Sequence, residues 1–472
     1  MAEASVLTAD PVVTAGDPDS RRILLVSYFY GETGATGGFR WFSMARDLVQ
    51  RGWTIDVITA APKPTPLRGV TTCEVPISTW PQRWSRGMME PLRRLRRRAQ
   101  PSRIPDPVVP DDNELMRRIE ALRPWRPGSG STFRQNVAGT IDAAADLAAS
   151  VAWSRRATRV GLELTTRHRY DAIVVSSPPH FTQLVGWQLS RRTGLPYVAD
   201  YRDPWTIGVH EFAGDDPPLA EFVSAGIERL TQKRCCVAVY NTATAMERAQ
   251  AQPLLPDVPR VAIPNGYDTP PGDALPDPER FRILYSGWIY HYMDPRVLLR
   301  AVRDLRQSDE RARRHTLLEL TGVPSEYQGI PLADMVRAYG LDDCTVISDR
   351  VSREEALRAQ ERAAVLVAFD YPHALAIVMK FYDYLRVRGE LLLIGERGTA
   401  LDAAARRIGT HTVPETDEAG ILAVLQRGFT RWLKREYPAA NDAAGVFHRS
   451  HRSAEFHELL VRLGRVPDLQ LR

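Results

Sequence analysis

Five short stretches of this sequence place side chains or glycines where they could do chemistry. The first is the glycine-rich turn GETGATGGFR, Gly31 to Arg40, in which Gly34, Gly37 and Gly38 carry no Cβ. Backbone amides there can approach a phosphate oxygen, with Arg40 near enough to assist or to fix the turn, and a strained turn without a ligand is the alternative. His180 follows Pro178 and Pro179 in SSPPH, a rigid place from which an imidazole can reach a hydroxyl or a developing charge, or be held by backbone as a structural group. In DYRDPW, Arg202 and Asp203 read as an internal ion pair at a strand exit or as groups that reach into a ligand site. Asn265 and Gly266 in IPNGYD read as a turn, Gly266 allowing a positive φ. Lys380 and Asp383 stand three residues apart and so share a helical face, where the amine suits a phosphate or an internal pair with the carboxylate.

Several chemistries are absent from the pattern. The chain has neither GxGxxG after its first strand nor GxxxxGK[ST], which counts against a dinucleotide enzyme and an NTPase. Cys73, Cys235, Cys236 and Cys344 have no metal-type spacing, so no metal site is expected and a reduced cytoplasmic chain is the simplest account. With 62 Lys and Arg against 57 Asp and Glu, the net charge of +5 does not suggest a nucleic-acid binder. The basic excess gathers in Arg83 to Arg98, which reads as a solvated face or as a contact for acidic lipid or phosphate. No uncharged apolar stretch of roughly 18 residues is present to span a bilayer.

The elements that must position these groups follow an α/β rhythm. RRILLVSYFY reads as a buried strand, the turn then runs into a helix with Phe42, Ala45, Leu48 and Val49 at helical spacing, and TIDVITA is the next strand. A βαβ unit is right-handed and sets that turn at the carboxyl edge of a parallel sheet, where open sheets bind ligands. Prolines and basic residues break the rhythm over 62–138, which reads as an insertion in the first domain. It returns with a long helix from about Gly139, the strand YDAIVVSS, a helix after SSPPH, the strand LPYVADY and a further unit in which Thr242 or Thr244 caps a helix. Prolines between Pro253 and Pro278 suggest a hinge, and a second strand–helix series runs from FRILYSG to ELLLIG. These boundaries predict a disordered leader at 1–20, a first Rossmann-like domain at 21–268, a second at 269–437 and a helical tail at 438–472 that packs back on the first.

In this order SSPPH, DYRDPW, IPNGYD, YSG, SREEA and KFYDYL, with the leading strand and its GG and Arg, resemble the family-four GT-B glycosyltransferases of bacteria. They do so over nearly the whole chain. The resemblance implies two Rossmann-like, doubly wound parallel-sheet domains facing a cleft. It implies transfer of a sugar from a nucleoside diphosphate donor to a carbohydrate, lipid-linked or small-molecule acceptor, with retention of configuration and no cofactor beyond the donor. The acceptor would bind the first domain, with peripheral contact to an acidic membrane if it is lipid-linked. His180, Arg202 and Asp203 become the catalytic candidates. Gly37, Gly38, Arg40, Asn265, Gly266, Gly287, Arg296, Lys380 and Asp383 become the donor-binding ones, Asp383 standing where a ribose-gripping glutamate is usual. Two family positions depart: Trp288 and Met293 stand where Arg and Lys commonly hold the diphosphate. That departure leaves open a GT-B enzyme of other chemistry, such as an epimerase or a non-glycosidic coupling enzyme, or a non-catalytic partner subunit.

Overall fold

The structure is a computed structural model. It describes residues 21–31, 36–77, 112–122, 133–207, 218–268, 274–370, 374–437 and 439–465. The predicted leader 1–20, Gly34 and the basic run 83–98 lie outside the described residues.

The chain divides into two units, one drawing its described residues from Met1–Gln100, Gly128–Asn265 and Arg449–Arg472, the other from Pro101–Pro127 and Gly266–His448. In the first unit, β1 (Arg21–Ser27), α1 (Thr36–Gln50), β2 (Trp53–Thr59) and β3 (Val70–Glu74) open the sheet. After α2 (Asp112–Glu120) come α3 (Phe133–Arg167), β4 (Ala172–Ser177), α4 (Gln183–Thr193), β5 (Tyr197–Tyr201), α5 (Pro218–Gln232), β6 (Val237–Tyr240), α6 (Ala243–Gln250) and β7 (Arg260–Ala262). The seven strands lie in the order β3-β2-β1-β4-β5-β6-β7, all pairs parallel. This is a doubly wound sheet whose order reverses between β1 and β4. Strands β1, β4 and β5 are buried on both faces and correspondingly apolar, as central parallel strands must be. Thr242 accepts from Ala245 N as the N-cap of α6.

The second unit runs β8 (Phe281–Ser286), α7 (Pro295–Ser308), α8 (Glu310–His315), β9 (Thr316–Thr321), a small hairpin of β10 (Glu326–Tyr327) and β11 (Ile330–Pro331), and α9 (Leu332–Ala338). It continues with β12 (Thr345–Ser348), α10 (Arg353–Arg362), β13 (Val365–Phe369), α11 (Met379–Tyr384), β14 (Glu390–Ile394), α12 (Ala400–Arg407) and α13 (Glu418–Lys434), and α14 (Arg449–Arg465) returns to the first unit. Its five parallel strands are ordered β12-β9-β8-β13-β14, the same winding, with the reversal between β8 and β13.

One expected boundary is corrected. The stretch 62–138 is not one insertion of the first domain: β3 is an edge strand of the first sheet, whereas α2 buries Leu115 and Ile119 in the core of the second unit. The proline-rich stretch 253–278, read as a hinge, holds β7, which pairs with β6, and the division falls within it, between Asn265 and Gly266. In α14, Phe456, Leu460 and Leu463 are buried in the first unit's core, Phe456 meeting Trp41 edge-on at 4.8 Å.

Candidate functional site

In the first unit, register aligns the carboxyl ends of three strands: Ser27 faces Ser176, and Ser176 faces Asp200. Arg40, on α1, is buried beneath this edge. Its Nε and Nη2 meet the Asp200 carboxylate at 3.4 and 3.1 Å, Nη2 also reaches Ile263 O at 2.9 Å, and Nη1 reaches Pro264 O at 3.0 Å and Asn265 Oδ1 at 2.9 Å. A guanidinium has five N–H donors, so every one is used. Trp41 Nε1 adds a bond of 2.7 Å to Asp200. Arg40 therefore ties α1 to β5 and to the end of β7 with every donor taken, and Asn265 contributes its Oδ1 to the same knot.

The glycine-rich turn is corrected as well. Helix α1 already begins at Thr36 and includes Gly37 and Gly38. A Cβ on Gly38 would lie 3.1 Å from the backbone nitrogens of Gly31 and Tyr30, so the space beside it is filled by the chain's own backbone and not left for a phosphate oxygen. Gly266 is absent from the glycines with positive φ, which include Gly31, Gly194 and Gly287; the IPNGYD turn takes its course from the Arg40 bonds instead.

His180 does come to the carboxyl edge. It opens a single 3₁₀ turn (His180–Thr182) between Pro179 and α4. Its ring stacks on Trp205 at 5.1 Å and 10°, and its Nδ1 lies 3.4 Å from Ser177 Oγ. Ser177 Oγ is in turn held by Gln183 Nε2 at 2.9 Å. Burial, with the nearby Arg202 charge adding to it, pulls the imidazole down to about 3, so it is neutral at physiological pH. Nε2 makes no hydrogen bond among the described residues and remains for a ligand. Arg202 and Asp203 do not form the expected ion pair: Arg202 Nη2 donates to Pro178 O, joining DYRDPW to SSPPH, and Asp203 is exposed. Burial nevertheless lowers the affinity of Arg202 for its proton relative to a free guanidinium.

In the second unit the carboxyl edge at the reversal carries Gly287, directly after β8. Its φ is +122°, and its N–H is held by Thr321 O at 2.8 Å. A Cβ there would stand 3.2 Å from Lys380 Nζ. Lys380, on α11, lies with Nζ 3.7 Å from the centre of the Tyr285 ring and makes no ion pair or hydrogen bond among the described residues. Burial pulls its amine down to about 7. The expected Lys380–Asp383 pair is not formed. Asp383 instead accepts from Arg353 Nη2 at 2.9 Å and Nη1 at 3.4 Å. Arg353 is the first residue of α10, whose start is a capping box of Ser352 and Glu355, so SREEA positions the group that meets Asp383.

Arg296 is corrected: it chelates Asp294 through Nε and Nη2, and its Nη1 donates to Ile119 O at 2.9 Å and Leu122 O at 3.1 Å. It anchors α2 to α7 through these bonds. Met293 is buried in the core, whereas Trp288 is 54% exposed. Sequence reasoning missed Asp200 as the hub of the Arg40 knot and Trp205 as the ring under His180, although both lie inside DYRDPW. Among the described residues no cluster of three or more His, Cys, Asp or Glu could hold a metal, all four cysteines are free, and no helix is long and apolar enough to cross a membrane.

No family model and no curated protein matches the sequence. Solved structures do. Sucrose-phosphate synthase from Thermosynechococcus elongatus superposes with a TM-score of 0.55 at 12% identity, over 94% of this chain and 99% of the other. An α,α-trehalose-phosphate synthase (UDP-forming) from Burkholderia xenovorans, in complex with glucose-6-phosphate, gives 0.54 at 12% identity over 93% and 100%. A trehalose-6-phosphate protein from E. coli bound with UDP-2-fluoro glucose gives 0.53 at 10% identity over 96% and 99%. Two Rossmann sheets of matching winding and a likeness running the length of both chains lead to one conclusion about architecture: this chain has the GT-B fold of glycosyltransferases.

Proposed function

We propose that this chain is a glycosyltransferase that moves a sugar from a nucleoside diphosphate donor to an acceptor, with retention of configuration and without a metal. The observation that carries the reading is Lys380. Its amine sits at the reversal point of the second sheet, beside a glycine that leaves room and with no carboxylate paired to it among the described residues. A desolvated cation that has only a neutral ring beside it among the described residues is unfavourable, and a diphosphate relieves it. Open α/β sheets receive ligands at this edge, and one structure of similar fold holds UDP-2-fluoro glucose.

The chemistry follows from the groups. Lys380 and the backbone amides after β8 take up charge on the leaving diphosphate, which replaces a divalent cation in that role. Neutral His180, with Nε2 unengaged, hydrogen-bonds a hydroxyl of the substrate and orients it. The acceptor binds the first unit, and a carbohydrate or sugar phosphate is the class that the similar structure holding glucose-6-phosphate supports. A cytoplasmic location belongs to the same proposal, on the ground of the free cysteines. Membrane contact rests on residues 83–98 and a lipid-linked acceptor.

The test is release of nucleoside diphosphate from a panel of nucleotide sugars, with and without candidate acceptors, in EDTA. Acceptor-dependent release with a new glycoside supports the proposal. Release that needs no acceptor favours the second reading, a GT-B enzyme of other chemistry, which Met293 and Trp288 motivate because neither can hold a phosphate by charge.

A further inference from the structure

The loop after β8, from Gly287 to Asp294, is built to hold aromatic rings in fixed positions. Two buried tyrosines pin it from below. Tyr285 Oη donates to Trp288 O at 2.7 Å, and Tyr327 Oη donates to His291 O at 3.1 Å. Met293 N closes the loop on Tyr290 O at 2.9 Å, and the Met293 side chain is sunk in the core. On this fixed backbone Trp288 and Tyr290 stand 54% and 42% exposed, and Tyr290 stacks on Tyr292 at 5.3 Å and 5°. Single exposed apolar residues need no explanation, but here large rings share one loop whose carbonyls are tied down by buried phenols. A pinned loop has little freedom left to lose when a ligand binds, so its rings are preorganised for contact.

The position says what they contact. Trp288 directly follows Gly287, against which the Lys380 amine lies, and consecutive Cα atoms are about 3.8 Å apart. A nucleotide sugar carries its pyranose on the terminal phosphate, so a diphosphate held at Lys380 beside Gly287 would bring that ring to the loop that begins with Trp288. The pyranose has an apolar C–H face and no charge, which suits an indole and gives a basic side chain nothing to pair with.

We infer that Trp288 is the platform on which the donor's pyranosyl ring stacks, so that this chain recognises the transferred sugar through an apolar face. The inference rests on the proposed donor reading, with Lys380 as the diphosphate group. Atoms of the base and ribose are not involved, and this separates the contact from that of Asp383.

Calorimetry on the full chain tests it with four nucleoside diphosphates (UDP, GDP, ADP and dTDP) and their glucose conjugates, taking the pair that binds most tightly. Trp288→Ala is expected to leave the nucleoside diphosphate within twofold of wild type and to weaken its sugar conjugate by about tenfold, Trp288→Phe recovering part of the loss. Lys380→Ala is expected to weaken both ligands. Equal weakening of both by Trp288→Ala would make the ring a support of the loop or a contact of the base, and an unchanged sugar conjugate would remove it from the site; either overturns the inference while the Lys380 result still stands. If no member of the panel binds wild type, the donor reading itself fails, and this inference with it.

Discussion

Lys380 and His180 are both ionisable groups that burial keeps uncharged more readily than in water, and each sets a pH dependence. For Lys380, with the amine pulled down to about 7, a bound diphosphate raises it again because the anion favours the ammonium. Free protein above pH 7 therefore has to take up a proton when it binds donor. Affinity is predicted to fall progressively as pH rises from 7 to 9, and titrations in buffers of different ionisation heat should show close to one proton absorbed at the upper end. Affinity that holds level across this range would mean that Lys380 does not face the anion. For His180, pulled down to about 3, the imidazole stays neutral between pH 5 and 8. The acid limb of a kcat/KM profile should then lack a step near the ordinary histidine value, and His180→Ala should lower kcat by tenfold or more with little change in melting temperature, since the ring packs on Trp205 at the sheet edge and not in the core.

At the scale of elements, the Arg40–Asp200 knot is what holds α1, β5 and the end of β7 together. Removing Arg40 leaves the buried Asp200 carboxylate without its cation and the oxygens of Ile263, Pro264 and Asn265 without a donor, so Arg40→Ala is predicted to destabilise the first unit by about 3–5 kcal/mol. The readout is the denaturant midpoint of the full chain, and Arg40→Lys, which cannot reproduce five donors, should recover little. A midpoint shift of under about 1 kcal/mol would contradict the knot. Gly38→Val belongs here too: its Cβ would meet backbone at 3.1 Å, so loss of stability accompanies any loss of turnover. Most strands and helices were legible, because parallel strands buried on both faces read as short apolar runs and the helices between them carry a 3.6-residue period, whereas β3, α2 and α5 were not read. The cap at Thr242 was also readable from local residue types, as one of two candidates. What was not legible was which polar groups face inward. Arg40 pairs with Asp200 across 160 residues and Arg296 with the carbonyl of Ile119 across 177, and no local pattern reports a bond of that range. The same limit hid Arg353 as the partner of Asp383, since the i,i+3 spacing pointed to Lys380 instead.

For the whole molecule, two sheets of one winding each offer a carboxyl edge, and the described residues divide the labour between them. The first unit brings His180, Trp205 and Arg202 to its edge; the second brings Gly287, Lys380 and the Arg353–Asp383 pair. The cation proposed for a diphosphate is in the second unit, whereas Arg40 and Gly38 in the first are packed against their own chain. The central claim is therefore that Lys380, which makes no ion pair among the described residues, binds the donor's diphosphate. Titration calorimetry of wild type and Lys380→Ala with the best-binding nucleoside diphosphate, at pH 7 and in EDTA, tests it most directly. Loss of about 1.5–3 kcal/mol of affinity in the variant, with the melting temperature of the unliganded protein unchanged or raised, is the predicted result, because a charge-assisted bond is lost while a desolvated amine is removed. Equal affinity of the two proteins would contradict it.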